Sequence, residues 1–279
     1  MLLAFLAFLF GIPAAASASA ATGTGWLRVG NLSPTTSPVD VYVYPSGSSV
    51  ATFTLPDVAY GEVSGYQVVN AGGYTVKMLS AGSPASSTPV LSASVTVQAA
   101  HSYTVAALSV SSSGGQAMVL DDSLTTPAGK SLVRVIQASL SQKVVKFYCS
   151  CGGYIAPDAT PGSVSKYMAI PPGPSSGWTM TATGSTAKAS LFVPLTADTV
   201  HTEIVLETSG GGIQIVNLLD AAGANQPPVG GVETGFGGTA PHGPGSPLPW
   251  IAVIGAGALL ALAGGLRLRD GTRRSTVGV

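Results

Sequence analysis

The sequence predicts an all-β chain: two tandem β-sandwich domains of the immunoglobulin type, displayed outside the cell on one C-terminal transmembrane helix. Three observations point there. Short alternating or β-branched runs separated by turn residues fill the body, the pattern recurs after about one hundred residues, and both ends are apolar stretches of the kind that handle export and anchorage. Only 9% of residues are charged and the formal net charge is zero. Four of the basic residues (Arg267, Arg269, Arg273, Arg274) follow the last apolar stretch, which leaves no basic patch on the body and excludes nucleic acid as a partner class.

The first element is an apolar run over residues 2–12, too short to span a bilayer, followed by small residues up to Ala18-Ser19-Ala20. This order fits a signal peptide over residues 1–20 cleaved between Ala20 and Ala21. No Lys or Arg precedes the run, so a start upstream of Met1 stays open.

The body follows over residues 21–225. In the first domain (21–123), strands are expected over residues 26–31, 39–44, 50–55, 62–69, 73–80, 90–97, 102–109 and 117–121. VDVYV and YTVKM alternate apolar with polar residues, the period of a strand with one face on a core and the other in water. In the second domain (124–225), LVRVIQASL echoes WLRVGNLSP, VVKFYCSCG echoes VDVYVYPSG, GSVSKY echoes GEVSGY, Trp178-Thr179-Met180 echoes Tyr74-Thr75-Val76, and HTEIVL echoes YTVAAL. A period this long implies tandem domains rather than a solenoid.

Beyond the body, residues 226–247 are rich in Gly and Pro and read as a flexible stalk. Residues 248–266 carry no charge, and at about 1.5 Å per residue a helix of that length just spans the hydrocarbon. Trp250 at one border and the arginines of the tail (267–279) at the other place the C-terminus in the cytoplasm and the body outside.

GEVSGYQVVNAGGYTVKM, VLSASVTVQAAHSYTVAAL and the junction LDDSLTTPAGKSLVRVIQAS resemble the bacterial family called domain of unknown function 4397. The resemblance covers residues 26–219 as two copies, the second divergent, with PPGPSSGWTM standing in for the AGGYTVKM turn. It implies immunoglobulin-like sandwiches on secreted or surface-anchored proteins and brings no catalytic residues.

Side chains that could carry chemistry are few. Cys149 and Cys151 are the only cysteines. In an exported protein a disulfide is the default, and i, i+2 partners on a regular strand stand too far apart for one, so the chain must leave strand geometry there. Free thiols, and metal or intermolecular pairing, are the alternatives. Two thiolates supply half of a zinc shell, and no His sits at ligand spacing. His201, Glu203 and Asp198 suggest a metal or acid–base site in an enzyme, against the plainer reading of a solvated strand edge. Gly173-Pro174-Ser175-Ser176-Gly177 matches a nucleophile-elbow pattern but lacks the strand-to-helix context, so a proline-rich turn is expected. Asp121-Asp122 offers two hard ligands for calcium, or a turn and linker; Arg28 and Arg134 read as surface or edge positions that discourage aggregation. Tyr42, Tyr44, Tyr60, Tyr66, Tyr148, Tyr154 and Tyr167 mark a carbohydrate or protein patch wherever they are exposed, with about half expected in the core. In the stalk, Val232-Glu233-Thr234-Gly235 keeps the Thr234-Gly235 bond that a sortase cuts, without the opening Leu-Pro.

No motif calls for a cofactor. The expected function is non-enzymatic: adhesion, cell-wall association or binding of a glycan or extracellular protein by a membrane-anchored surface protein, with an envelope spacer as the alternative and a metal-dependent hydrolase third.

Overall fold

The computed structural model describes residues 23–35, 38–109, 115–125 and 127–222. The signal peptide with Ala20 and Ala21, the stalk with Thr234 and Gly235, the transmembrane segment and the basic tail lie outside the described residues.

Among the described residues there are sixteen strands. The first eight are β1 (Thr24–Asn31), β2 (Val39–Pro45), β3 (Phe53–Val58), β4 (Gln67–Asn70), β5 (Gly72–Ser80), β6 (Leu91–Val97), β7 (Ser102–Ser109) and β8 (Gln116–Asp122). The second eight are β9 (Ser131–Gln137), β10 (Val145–Cys149), β11 (Gly153–Ala159), β12 (Met168–Ile170), β13 (Gly173–Ala182), β14 (Lys188–Leu195), β15 (Thr199–Glu207) and β16 (Ile213–Ala222). They form four four-stranded sheets, ordered β4-β1-β7-β8, β3-β2-β5-β6, β12-β9-β15-β16 and β11-β10-β13-β14. The last two repeat the first two with every strand number raised by eight. Pairing is antiparallel except for β1 with β7 and β9 with β15, which run parallel.

Alternation dictates which face each outer strand buries. On β2, Val39, Val41 and Val43 are buried in a core with Leu27 and Val29 of β1, Val76 and Met78 of β5 and Val105 of β7. Tyr42 and Tyr44 point away and stack on each other at 6.3 Å, with the Lys77 ammonium 5.2 Å from the Tyr44 ring centre. A matching core in the second half gathers Val133, Val145, Phe147, Trp178, Met180 and Val205. Each fully buried side chain of this size contributes about 1.5–3 kcal/mol relative to exposure.

The inner strands depart from the one-face-wet expectation. Strands β1, β7, β9 and β15 are buried along almost their whole length on both faces. A third apolar cluster explains this: Ala106, Leu108 and Met118 of the first half meet Ile136, Ile204, Leu206 and Leu218 of the second. The two inner sheets therefore pack on each other, and both halves belong to one compact unit.

Pairing also refines the repeat. Val39 and Val145 occupy the same register, facing Ser80 and Ala182 respectively, which moves the VVKFYCSCG echo by one residue and sets Val76 rather than Tyr74 opposite in role to Trp178. Residues 173–177 belong to β13, paired to β14 across a bulge between Gly173 and Ser176, so the expected proline-rich turn is strand instead.

Candidate functional site

Arg28 and Arg134 are not surface residues: they are 4% and 2% exposed. Each lies on an inner strand and points into the seam between the halves, where the opposite half supplies its partner. Arg28 Nη2 donates to Asp220 Oδ1 at 2.8 Å and its Nε donates to Thr104 Oγ1 at 2.7 Å. Arg134 reproduces this arrangement, with Nη2 on Asp122 Oδ1 and Nε on Thr202 Oγ1. The Thr104 and Thr202 hydroxyls in turn donate hydrogen bonds to Asp122 and Asp220. Tyr66 and Tyr167 lie against the two guanidinium groups at 4.4 and 4.8 Å.

The cluster is a neutral set of two cations and two anions in which each half repeats the other's contacts. Burial works against the charged form of Arg28, and Asp220, with Tyr66 and Asp122, more than offsets it, so the guanidinium is held more firmly charged than in water. Arg134 is raised in the same way: burial opposes the charge and Asp122 outweighs it. Asp122 thus ends β8 in a buried ion pair, not in the linker turn or calcium pair expected of Asp121-Asp122; Asp121 next to it remains exposed.

A cleft of about 680 Å³ opens at one end of this seam. Trp26, His101, Ser102, Asp121, Asp122 and Tyr167 line it. Gly25 sets its geometry, since a Cβ there would sit 2.6 Å from Gln98 O and 2.8 Å from His101 O, so only glycine lets β1 lie against the turn before β7. Ala100 in that turn takes a left-handed backbone, with φ 61°. His101 Nδ1 stands 3.7 Å from Asp121 Oδ1 at the rim. Within the cleft, Ser102 Oγ and Tyr167 Oη are buried with no hydrogen-bond partner, although Tyr66, the counterpart of Tyr167, donates to Asp122 at 2.9 Å.

The second half shows what this position looks like when closed. Trp26 pairs with Ser102 as Leu132 pairs with Val200. Leu132, Val200 and Ala221 there form an apolar cluster covered by Leu124 and Tyr167.

His201 and Glu203 are buried as well, at 4% and 0% exposure, which overturns the solvated-edge reading. They project from β15 toward the second core and share Asn217: its amide donates to Glu203 Oε1 at 2.6 Å and lies 3.1 Å from His201 Nδ1. Burial raises the Glu203 carboxyl from 4.5 to about 8 and lowers His201. Asp198 is held elsewhere, accepting from Gly129 N at 3.1 Å in the turn before β15. Among the described residues no three His, Cys, Asp or Glu side chains are grouped to hold a metal ion. Cys149 and Cys151 are joined by a disulfide with Cα atoms 5.0 Å apart, where β10 ends and Gly152 turns the chain at φ 124°.

Trp26, Ser102, Thr104, Thr202 and Asp220 are the residues that sequence reasoning missed. The signal was there in part: Arg, Thr and Asp recur together at matching strand positions of both halves, as a shared buried network requires.

None of the curated proteins matches this chain. Among solved structures, the Bacillus anthracis TIE protein is similar at 10% identity and TM-score 0.23 over 72% of this chain, which spans 44% of that protein. A candidate cell adhesion protein from Bacteroides ovatus is similar at 12% identity and TM-score 0.21, covering 72% of this chain and 96% of its own. A candidate adhesin from the same organism follows at 11% identity and TM-score 0.17, covering 71% and 95%. The family match runs over residues 25–148, from β1 to β10, and does not extend across the divergent second copy that the resemblance included. Those residues match the model of the family described as Domain of unknown function (DUF4397).

Proposed function

We propose that this chain is a non-enzymatic cell-surface protein, whose two immunoglobulin-like halves are held outside the cell by a helix over residues 248–266 and recognise an extracellular partner. The observation that carries this reading is the seam cleft. Its walls come from both halves, and the ion pairs behind it fix their relative placement, so the site is formed before any ligand arrives, which lowers the entropy lost on binding. Two of the residues that line it, Ser102 and Tyr167, carry covered hydroxyls without partners.

The test is an array of glycans and envelope proteins probed with the wild-type chain and with Trp26→Leu. A partner bound by the first and lost by the second supports recognition at the cleft; silence from the wild type overturns it. Protease added to intact cells checks the address, since a body protected under conditions that digest a surface marker rules out display. An envelope spacer is the second reading, favoured by the same rigid seam. Mass spectrometry of the envelope-extracted chain distinguishes an uncut anchor from cleavage between Thr234 and Gly235.

A further inference from the structure

We propose that the seam cleft binds a neutral hexopyranose, as a monosaccharide or the end of a short glycan; this rests on the reading of the chain as an extracellular recognition protein. At about 680 Å³ the cleft is of small-ligand size. Its polar groups are those a polyol needs. The exposed Asp121 carboxylate accepts from neighbouring hydroxyls, while Ser102 Oγ and Tyr167 Oη have protons to give and no acceptor but are covered, so a sugar reaches them only as the side chains over them shift. Trp26 adds the apolar surface on which the C–H face of a pyranose rests.

Charge narrows the class. Asp122 is neutralised by Arg134, which leaves Asp121 facing His101 at the rim, so a phosphate or carboxylate ligand meets a carboxylate and no free cation. The divergence between the halves points the same way. Evolution to an apolar plug has a ready form in this fold, namely Leu132 and Val200 under Leu124, whereas the equivalent positions of the first half hold Trp26 and a partnerless serine. Ala100 adds a strained non-glycine backbone at the same wall.

The test uses the full chain in a detergent without sugar headgroups, titrated by calorimetry and saturation-transfer NMR with glucose, galactose, mannose, N-acetylglucosamine and their disaccharides. Binding is expected with a Kd on the order of 0.1–1 mM. Trp26→Leu with Ser102→Val, which copies the second half, is expected to weaken it by roughly tenfold or more, and Tyr167→Phe, which removes one hydroxyl and no bulk, by roughly threefold to tenfold. Unfolding midpoints establish that each variant is folded. No saccharide bound at about 10 mM by the folded wild type overturns the proposal, as does binding that Tyr167→Phe and the double variant both leave unchanged. If the array instead yields a protein or an ammonium compound that the cleft variants lose, recognition at the cleft stands and the hexopyranose assignment fails.

Discussion

Glu203 and Gly25 show how much single residues decide here. Glu203 is an acid in an apolar core: one oxygen is met by Asn217, and the core indole of Trp178 is its other polar neighbour. Because burial lifts its pKa from 4.5 to about 8, the folded state keeps a proton that the unfolded chain releases. That contribution is complete below about pH 4.5 and is lost as pH rises toward 8, with a slope of up to about 1.4 kcal/mol per pH unit. His201 acts in the opposite sense: lowered by burial, it favours the fold above its ordinary value of 6.5 and weakens it as pH falls below. Urea unfolding of Glu203→Gln is therefore expected to lose the fall in stability that wild type shows between pH 6.5 and 8, with the variant more stable than wild type at pH 8. A wild-type profile that rises between pH 6.5 and 8 would contradict a protonated Glu203. At Gly25 the prediction is steric. Gly25→Ala places a methyl group against two backbone carbonyls and Val97, and should lower stability by about 2 kcal/mol or more in the same assay while loosening the wall that carries Trp26.

At the scale of elements, the parallel pairs β1–β7 and β9–β15 are where the charges are placed. Each inner sheet presents Arg, Thr and Asp from three adjacent strands, β1, β7 and β8 in one half and β9, β15 and β16 in the other. A buried ion pair of this kind is poor evidence for stability by itself, since desolvation consumes much of the attraction, but breaking one partner strands a charge. Asp220→Asn is expected to cost about 3–5 kcal/mol, whereas Arg28→Met with Asp220→Leu should recover most of it. A double-mutant cycle on chemical denaturation measures the coupling; additive losses would mean that the pair is not coupled in the fold.

For the whole molecule, the consequence of the third cluster is cooperativity. Each half taken alone would expose Leu108 and Met118, or Ile204 and Leu206, beside an arginine whose partner lies in the other half. Residues 23–222 are therefore expected to unfold in one calorimetric transition, with the van't Hoff and calorimetric enthalpies in agreement. Residues 23–123 alone are expected to self-associate or stay unfolded on size-exclusion chromatography. Two separate transitions, or a folded monomeric half, would show that the seam is a loose contact.

Much of the architecture was legible in the residues. Period-two alternation in VDVYV and YTVKM determined which side of β2 and β5 meets the core, and the recurrence of whole blocks announced the repeated strand order before any pairing was known. Strand β7 was located to its ends, residues 102–109. What the sequence could not determine is what covers the second face of an inner sheet, because alternation reports the polarity of a face and not its neighbour. A polar residue on that face reads as wet, and so Arg28 and Arg134 read as surface positions. Only the tertiary structure decided otherwise: with the two inner sheets packed on each other, a face that would be hydrated in a single sandwich is desolvated, and its charges persist there only because the opposite half supplies the countercharge.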